Sequence, residues 1–317
     1  MTSVSILVVT WNSAAEIEEC LDAALTQCST ETETELVVVD NASADGTPEL
    51  LAGYRDRAKV MTLDRNLGYA AANNLAAACA HGEHLLLLNP DCTMDPGCLE
   101  ALRDHLDREP RCAVAAADLR YPDGRPQSFA RREVTLTSAW WCLTETGARL
   151  DVKLLKGRHR SRRWYDDRRP DLSLGPTTVD AAAAACVLVR GSALVGLLFD
   201  ERFPLLYNDS DLYRRLRQRG FHADIVPTAT ATHHYGTGLQ QVPEARMRAE
   251  SVRSLLRYAD RWWPRPQRLA LRGLLLLDCV CCAALVLLRR RPDAAATALR
   301  GTWGGLSLPG GAQPWLT

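Results

Sequence analysis

The stretch VSILVVTWNS, residues 4–13, decides the fold. Its first six residues form a short, unbroken apolar run rich in β-branched side chains, which reads as a strand buried on both faces of a parallel sheet. Helical spacing follows at once: Ile17, Cys20, Leu21, Ala24 and Leu25 fall on one face, and Ser13 with Glu16 three residues on makes a capping pattern. Residues 36–39 repeat the strand signal, and Thr47-Pro48 supplies an N-cap and a proline at the first position of a second helix. Residues 59–63 and 84–88 read as further strands around an alanine-rich helix at about 69–81, which Gly82 closes. Strands alternating with helices predict a parallel sheet flanked by helices, whose ligands bind beyond the carboxyl ends of the strands.

The residues at those ends are polar. They are Thr10-Trp11-Asn12, Asp40-Asn41-Ala42-Ser43, Asn66 and Asn89-Pro90-Asp91. Any one of them is readily a turn or cap residue. Four such groups at one end of one sheet point to a bound ligand.

Composition narrows the class. With 317 residues, 47% hydrophobic and 24% charged, the chain has the make-up of a folded domain plus an accessory segment, neither disordered nor polytopic. Thirty-eight Lys and Arg balance thirty-eight Asp and Glu, so no overall field draws in nucleic acid, and no nucleic-acid partner is expected. Eleven cysteines are an odd count, and no basic, cleavable leader precedes the first strand. These features predict a reducing, cytoplasmic compartment without a disulfide framework.

The ordered series of motifs resembles the family 2 glycosyltransferases of the GT-A fold, in their rhamnosyltransferase-like branch. The stretches that carry the resemblance are VSILVVTWNS at 4–13, VVVDNASADGT at 37–47, NLGYAAANN at 66–74, LLLLNPD at 85–91, FDERF at 199–203 and NDSDLYRRL at 208–216. The resemblance implies a nucleotide-sugar-binding fold with a mostly parallel central sheet and a donor pocket of Thr10, Asn12, Asp40, Asn41, Ser43, Asn66, Gly68, Asn73 and Asn89. A carboxylate at the Asp40 position accepts the N3–H of uracil or thymine, a proton that cytosine lacks, so a UDP or dTDP donor is expected. Asn89-Pro90-Asp91 stands where the fold's D-x-D motif belongs. Asp91, with His233 by position, would ligate Mg²⁺ or Mn²⁺ at the donor's phosphates. Asp209 takes the place of the general base of an inverting transfer onto a hydroxyl of a glycan or lipid-linked acceptor, with dTDP-L-rhamnose as the donor that the branch implies.

Three positions depart from the family pattern: Asn208 replaces a glutamate before the base, Ala184 a glycine beside the acceptor, and Gly238 a serine. Asn208 motivates an alternative, a catalytically inactive relative that holds a nucleotide sugar as a binding module. A dinucleotide-dependent oxidoreductase ranks behind both, because neither G-x-G-x-x-G nor a P-loop occurs.

Two segments lie outside the sheet pattern. Residues 149–169 hold nine Arg or Lys against three Asp and read as a basic, mobile, solvated loop. The competing reading is a loop that meets donor, acceptor diphosphate or anionic lipid, with Trp164 and Tyr165 as anchors. The catalytic domain is expected to end at 243. Residues 244–317 form a helical segment whose apolar run, 273–288, is short for a bilayer span and reads either as a membrane-surface helix at the inner face of the plasma membrane or as a buried packing helix.

Overall fold

A computed structural model describes residues 3–28, 33–147, 149–150, 170–234, 241–288 and 292–307. The opening run is strand β1 (Val4–Thr10), buried at every position. It is flanked by β2 (Thr34–Asp40) and β4 (His84–Leu88), and β3 (Lys59–Thr62) lies outside β2. These four strands are all parallel, in the order β3-β2-β1-β4. Helices α1 (Ile17–Gln27), α2 (Thr47–Ala52) and α3 (Tyr69–Ala78) make the crossovers.

Beyond β4 the sheet becomes mixed. β10 (Cys186–Arg190) runs antiparallel to both β4 and β6 (Cys112–Arg120), and β11 (His222–His233) lies parallel to β6. β5 (Cys92–Met94) and β8 (Thr177–Val179) pair antiparallel with β11. A separate ribbon joins β7 (Ala130–Arg131) to β9 (Ala181–Ala182). Helices α4 (Cys98–Arg108), α5 (Leu136–Leu143) and α6 (Asn208–Gln218) complete the part of the chain built on the sheet.

Local signals were partly displaced. Ser13 holds the start of α1 through its backbone carbonyl, which accepts from Glu16 and Ile17, and not through its hydroxyl. Thr47 sits inside α2 with Gly46 as N-cap, and its hydroxyl accepts the Ser13 N–H at 2.9 Å. The side chain expected to cap a helix instead ties the loop after β1 to the loop after β2. α3 stops at Ala78, before Gly82. Gly82 has another reason to be glycine: a Cβ there would lie 2.4 Å from the Ser5 nitrogen.

The C-terminal segment is three helices, α7 (Glu244–Trp262), α8 (Arg265–Leu287) and α9 (Pro292–Ser307). α8 begins eight residues before the apolar run and is long and apolar enough to cross a membrane by length and composition, with mean hydropathy 2.2 over its most apolar window. One stripe of it is protein-facing: Leu271, Leu275, Asp278, Cys279 and Cys282 are buried, and α8 packs against α5, α7 and α9. α9 approaches α7 closely because Gly301 and Gly305 carry no Cβ; one at Gly305 would meet Val252 Cβ at 2.6 Å.

Asp278, fully buried in this apolar helix, accepts from Thr146 N and Oγ1, both at 2.8 Å, and pairs with Arg248 at 3.0 Å. It therefore ties α8 to α7 and to the helical turn at 145–147 that follows α5. Asp278→Asn leaves Arg248 without its counter-charge in a largely buried setting. The expected loss is about 1–3 kcal/mol of stability, read as a lower urea midpoint with an unchanged slope.

Candidate functional site

The parallel register sets Thr10 beside Asp40 at the carboxyl ends of β1 and β2. Both are fully buried. Asp40 Oδ1 accepts from the Ser43 hydroxyl at 2.5 Å and the Ser43 N–H at 3.2 Å. Its other oxygen, Oδ2, and the Thr10 hydroxyl oxygen are buried with no hydrogen-bond partner. An orphaned buried carboxylate oxygen is costly and rare, and such atoms cluster at ligand sites. Burial pushes the Asp40 carboxyl above the usual carboxylate range even though Ser43 donates to it. A ligand N–H delivered to Oδ2 would remove this penalty.

Ser43 also accepts from Asn12 N at 2.8 Å, and Asn12 Oδ1 accepts from Ala44 N at 2.8 Å. Asn12 adopts a left-handed backbone, φ 49°, a conformation that asparagine tolerates better than most residues. Gln241, just after β11, exchanges two hydrogen bonds with Asn12 and covers this corner.

The other predicted amides serve the loop itself. Asn41 donates to Asn66 Oδ1 at 2.9 Å and accepts from Leu67 N at 2.8 Å, while Asn66 Oδ1 accepts from Gly68 N at 2.8 Å. They fix a turn in which Gly68 has φ 85°, which glycine alone adopts without strain. Asn73 is buried and donates to the Tyr69 carbonyl one turn earlier on its own helix. Its neighbour Asn74 clamps Phe199 through both backbone groups.

Antiparallel pairing of β5 with β11 places His233 opposite Cys92, and so beside Asp91. His233 Nε2 lies 3.3 Å from Asp91 Oδ1, and both residues are buried. Gln127 fixes the imidazole: its Nε2 donates to the His233 carbonyl at 3.2 Å, which turns its Oε1 toward His233 Nδ1 at 2.8 Å. The Nδ1 proton is thereby committed to Gln127. Nε2 is the ring nitrogen left facing the Asp91 carboxylate, where a cation would sit between the two. One carboxylate oxygen and one imidazole nitrogen, oriented by a second amide, fit a divalent ion that takes its remaining ligands from phosphates and water. No sequence signal marks Gln127, which lies far from either ligand in the chain.

Asp209, in the first turn of α6, is 2.6 Å from Arg131 on β7 through Oδ2 and accepts from Ser210 N at 2.7 Å through Oδ1. Asn208 Oδ1 accepts the Asp209 N–H at 2.7 Å. Asp211 has a different task. It is fully buried and accepts from Arg215 at 2.8 Å and Trp262 Nε1 at 2.9 Å, so it joins α6 to α7.

Tyr69 connects the two sides. Its hydroxyl lies 3.3 Å from Asn89 Oδ1 and 3.1 Å from the Ala184 carbonyl, and Asn89 N donates to Ala185 O at 2.8 Å. Burial, and then the nearby Asp209 and Asp91 carboxylates, push its phenol above the ordinary range. Burial and the Asp91 carboxylate likewise raise Glu16. Tyr69, absent from the sequence-based set, thus feels both carboxylates, Asp209 more than Asp91. Gly238 and residues 151–169, which include Trp164 and Tyr165, lie outside the described residues.

The profile of the family described as Glycosyl transferase family 2 matches residues 5–168, more than half of the chain. The chain belongs to this family. It is a glycosyltransferase with a rhamnosyltransferase-like sequence. The N-acetylglucosaminyl-diphospho-decaprenol L-rhamnosyltransferase of Mycobacterium tuberculosis is 29% identical over 288 residues, which cover 86% of this chain and 90% of that one. The succinoglycan biosynthesis protein ExoO of Rhizobium meliloti is 36% identical over 124 residues, 38% of this chain and 35% of that one. Among solved structures, the mannosyltransferase PcManGT from Pyrobaculum calidifontis, in complex with GDP-Man and Mn²⁺, superposes with a TM-score of 0.54 at 18% identity over 96% of this chain and 87% of its own. GalNAc-T7 with UDP, GalNAc and Mn²⁺ gives a TM-score of 0.59 at 16% identity over 84% of this chain, which spans about half (49%) of that structure. The family 2 glycosyltransferase has the GT-A fold, as its motifs imply.

Proposed function

We propose that this glycosyltransferase moves a hexose or deoxyhexose, L-rhamnose foremost, from a UDP- or dTDP-sugar to a hydroxyl of a lipid-linked or glycan acceptor, with inversion. The observation that carries the donor assignment is the buried, unpartnered Asp40 Oδ2 beside the unpartnered Thr10 hydroxyl. A uracil or thymine N3–H satisfies that oxygen, and a cytosine ring cannot. The acceptor class and the sugar rest on likeness to the mycobacterial rhamnosyltransferase.

Asp91 and His233 would hold the Mg²⁺ or Mn²⁺ ion, with Gln127 orienting the imidazole. When bound, such an ion supplies positive charge to the leaving diphosphate. Thr10, Asn12 and Ser43 line the nucleoside end; Asn41 and Asn66 shape the turn at Gly68; Asn89 and Asn73 flank Tyr69. Asp209 removes the proton of the attacking hydroxyl, and Arg131 keeps its carboxylate fixed while that happens.

A thermal-shift panel of UDP-, dTDP-, CDP- and GDP-sugars with and without Mn²⁺ tests the donor reading, because differential binding appears directly as stabilisation. UDP and dTDP compounds are expected to raise Tm most. Asp40→Asn should lower affinity for UDP by about 10- to 100-fold, the value of one hydrogen bond to a charged group, and erase the preference over CDP. A GDP preference in the wild type would overturn the assignment.

The membrane reading follows from α8. Leu269, Leu276, Leu277, Val280, Leu287 and Leu288 are exposed opposite its packed stripe, with Trp303 of α9 also exposed. Arg265, Arg268 and Arg272 begin the helix and Arg289-Arg290-Arg291 follow it. The buried Asp278–Arg248 pair keeps one face on the protein, so the helix lies in the interface and does not span it. This supports a position at the cytoplasmic face of a membrane, where the enzyme would meet a lipid-linked acceptor. In a flotation assay with phosphatidylglycerol-containing vesicles, L277E/V280E is expected to weaken binding by more than about tenfold. Unchanged flotation would contradict the membrane reading.

A further inference from the structure

At the opposite end of the sheet from the donor site, three metal-ligating side chains meet, those of His105, Cys112 and Asp224, and a fourth, His222, adjoins them through Asp224. His105 comes from the last turns of α4, Cys112 opens β6, and His222 and Asp224 open β11. The β6–β11 register shifts between His222 and Ala223, so His222 lies opposite Cys112 while Ala223 already faces Val114. Such an irregularity re-aims a side chain. His222 and Asp224, two apart on a strand, point to the same face.

The spacing is that of a small cation site. His105 Nε2 is 2.8 Å and His222 Nε2 3.3 Å from the same oxygen, Asp224 Oδ2. Ligand atoms of His105, Cys112 and Asp224 all lie within 4.8 Å of one another. The other Asp224 oxygen accepts from the Thr178 hydroxyl at 2.6 Å, which leaves Oδ2 as a single ligand with its support already in place. Cys112, Asp224 and His105 are buried, while His222 is one-third exposed and marks the way in.

We infer that His105, Cys112, His222 and Asp224 form a structural zinc site. Two neutral imidazoles, one thiolate and one carboxylate are a borderline ligand set that suits tetrahedral Zn²⁺. The two anionic ligands neutralise the dication, which makes its burial tolerable. Zinc bonds of about 2.0–2.3 Å place tetrahedral ligands roughly 3.2–3.7 Å apart. The His105–Asp224 pair opens by a few tenths of an ångström to reach that range, the Cys112 thiol leaves the Val114 carbonyl, to which it now donates at 3.2 Å, and His222, which touches only Asp224 of the three, swings in as the fourth ligand. Burial pushes this thiol up to about 12, so loading releases its proton to solvent. The ion would staple α4 to β6 and β11, far from the donor-end ligands. Hydrogen bonding to Asp224 alone accounts for the two histidines but gives Cys112 no part in the cluster.

The test uses the full-length chain, stripped of metal, in the His233→Ala background so that the donor-end pair does not contribute. Zn²⁺ alone is expected to bind at one equivalent and raise Tm by roughly 5 °C at large excess over Kd. Co²⁺ alone should give a thiolate-to-cobalt charge-transfer band that Cys112→Ser abolishes and whose titration midpoint His222→Ala shifts by at least about tenfold. Should Cys112→Ser not fold, His222→Ala, at a partly exposed position, carries the test. The site is overturned if no charge-transfer band appears, if the band survives Cys112→Ser, or if His222→Ala leaves the cobalt midpoint unchanged.

Discussion

Asp209→Asn is expected to lower kcat by about 10²- to 10⁴-fold, the usual contribution of a positioned general base, and to leave UDP or dTDP affinity unchanged. The amide matches the carboxylate in shape and can still accept from Ser210 N, whose hydrogen bond holds Oδ1 at 2.7 Å. It has no basic lone pair for the acceptor proton, and it loses the charge that Arg131 holds at 2.6 Å. The measurement is steady-state kinetics beside calorimetric donor titration. A variant that loses donor affinity and rate in equal measure would place Asp209 in binding and not in proton transfer. The wild-type assay also decides the meaning of Asn208: donor turnover excludes an inactive binding module.

The second large effect belongs to the Asp91–His233 pair. His233→Ala or Asp91→Asn is expected to reduce kcat by about 10²- to 10³-fold at fixed Mn²⁺, the scale of lost electrostatic stabilisation of a leaving group. The same substitutions should raise the concentration of Mn²⁺ needed for half-maximal rate. Uridine, which carries no phosphates, should bind each variant as it binds the wild type. A loss of uridine affinity in His233→Ala would mean that the imidazole shapes the nucleoside pocket itself.

Most of the fold was legible because its first half repeats one pattern: an apolar strand, a polar tip, an amphipathic helix. The turn to antiparallel pairing at β10 was not, since residues 186–189 are as evenly apolar as a parallel strand and direction leaves no trace in composition. The extent of α8 was underestimated because Arg265, Arg268 and Arg272 interrupt its first eight residues, although Gln267 to Arg272 are all good helix formers and Pro266 sits in the first turn, where proline is tolerated. In the site, residues that end strands were found by position. What they touch was not: Asn41 and Asn66 proved to bond each other and their own loop. Gln127, Arg131 and Tyr69 escaped notice for the same reason. Each acts on partners 20 to 115 residues away, through contacts that only the folded chain creates.

The account depends on Asp40 and the Asp91–His233 pair gripping two ends of one molecule. Calorimetric titration of UDP and of uridine, each with and without Mn²⁺, tests this directly, because coupled ligands strengthen each other by the same factor. The prediction is that Mn²⁺ tightens UDP but not uridine, that Asp91→Asn abolishes the enhancement, and that Asp40→Asn weakens both ligands alike. UDP binding that is indifferent to Mn²⁺ and to Asp91, or uridine binding that is indifferent to Asp40, would contradict it.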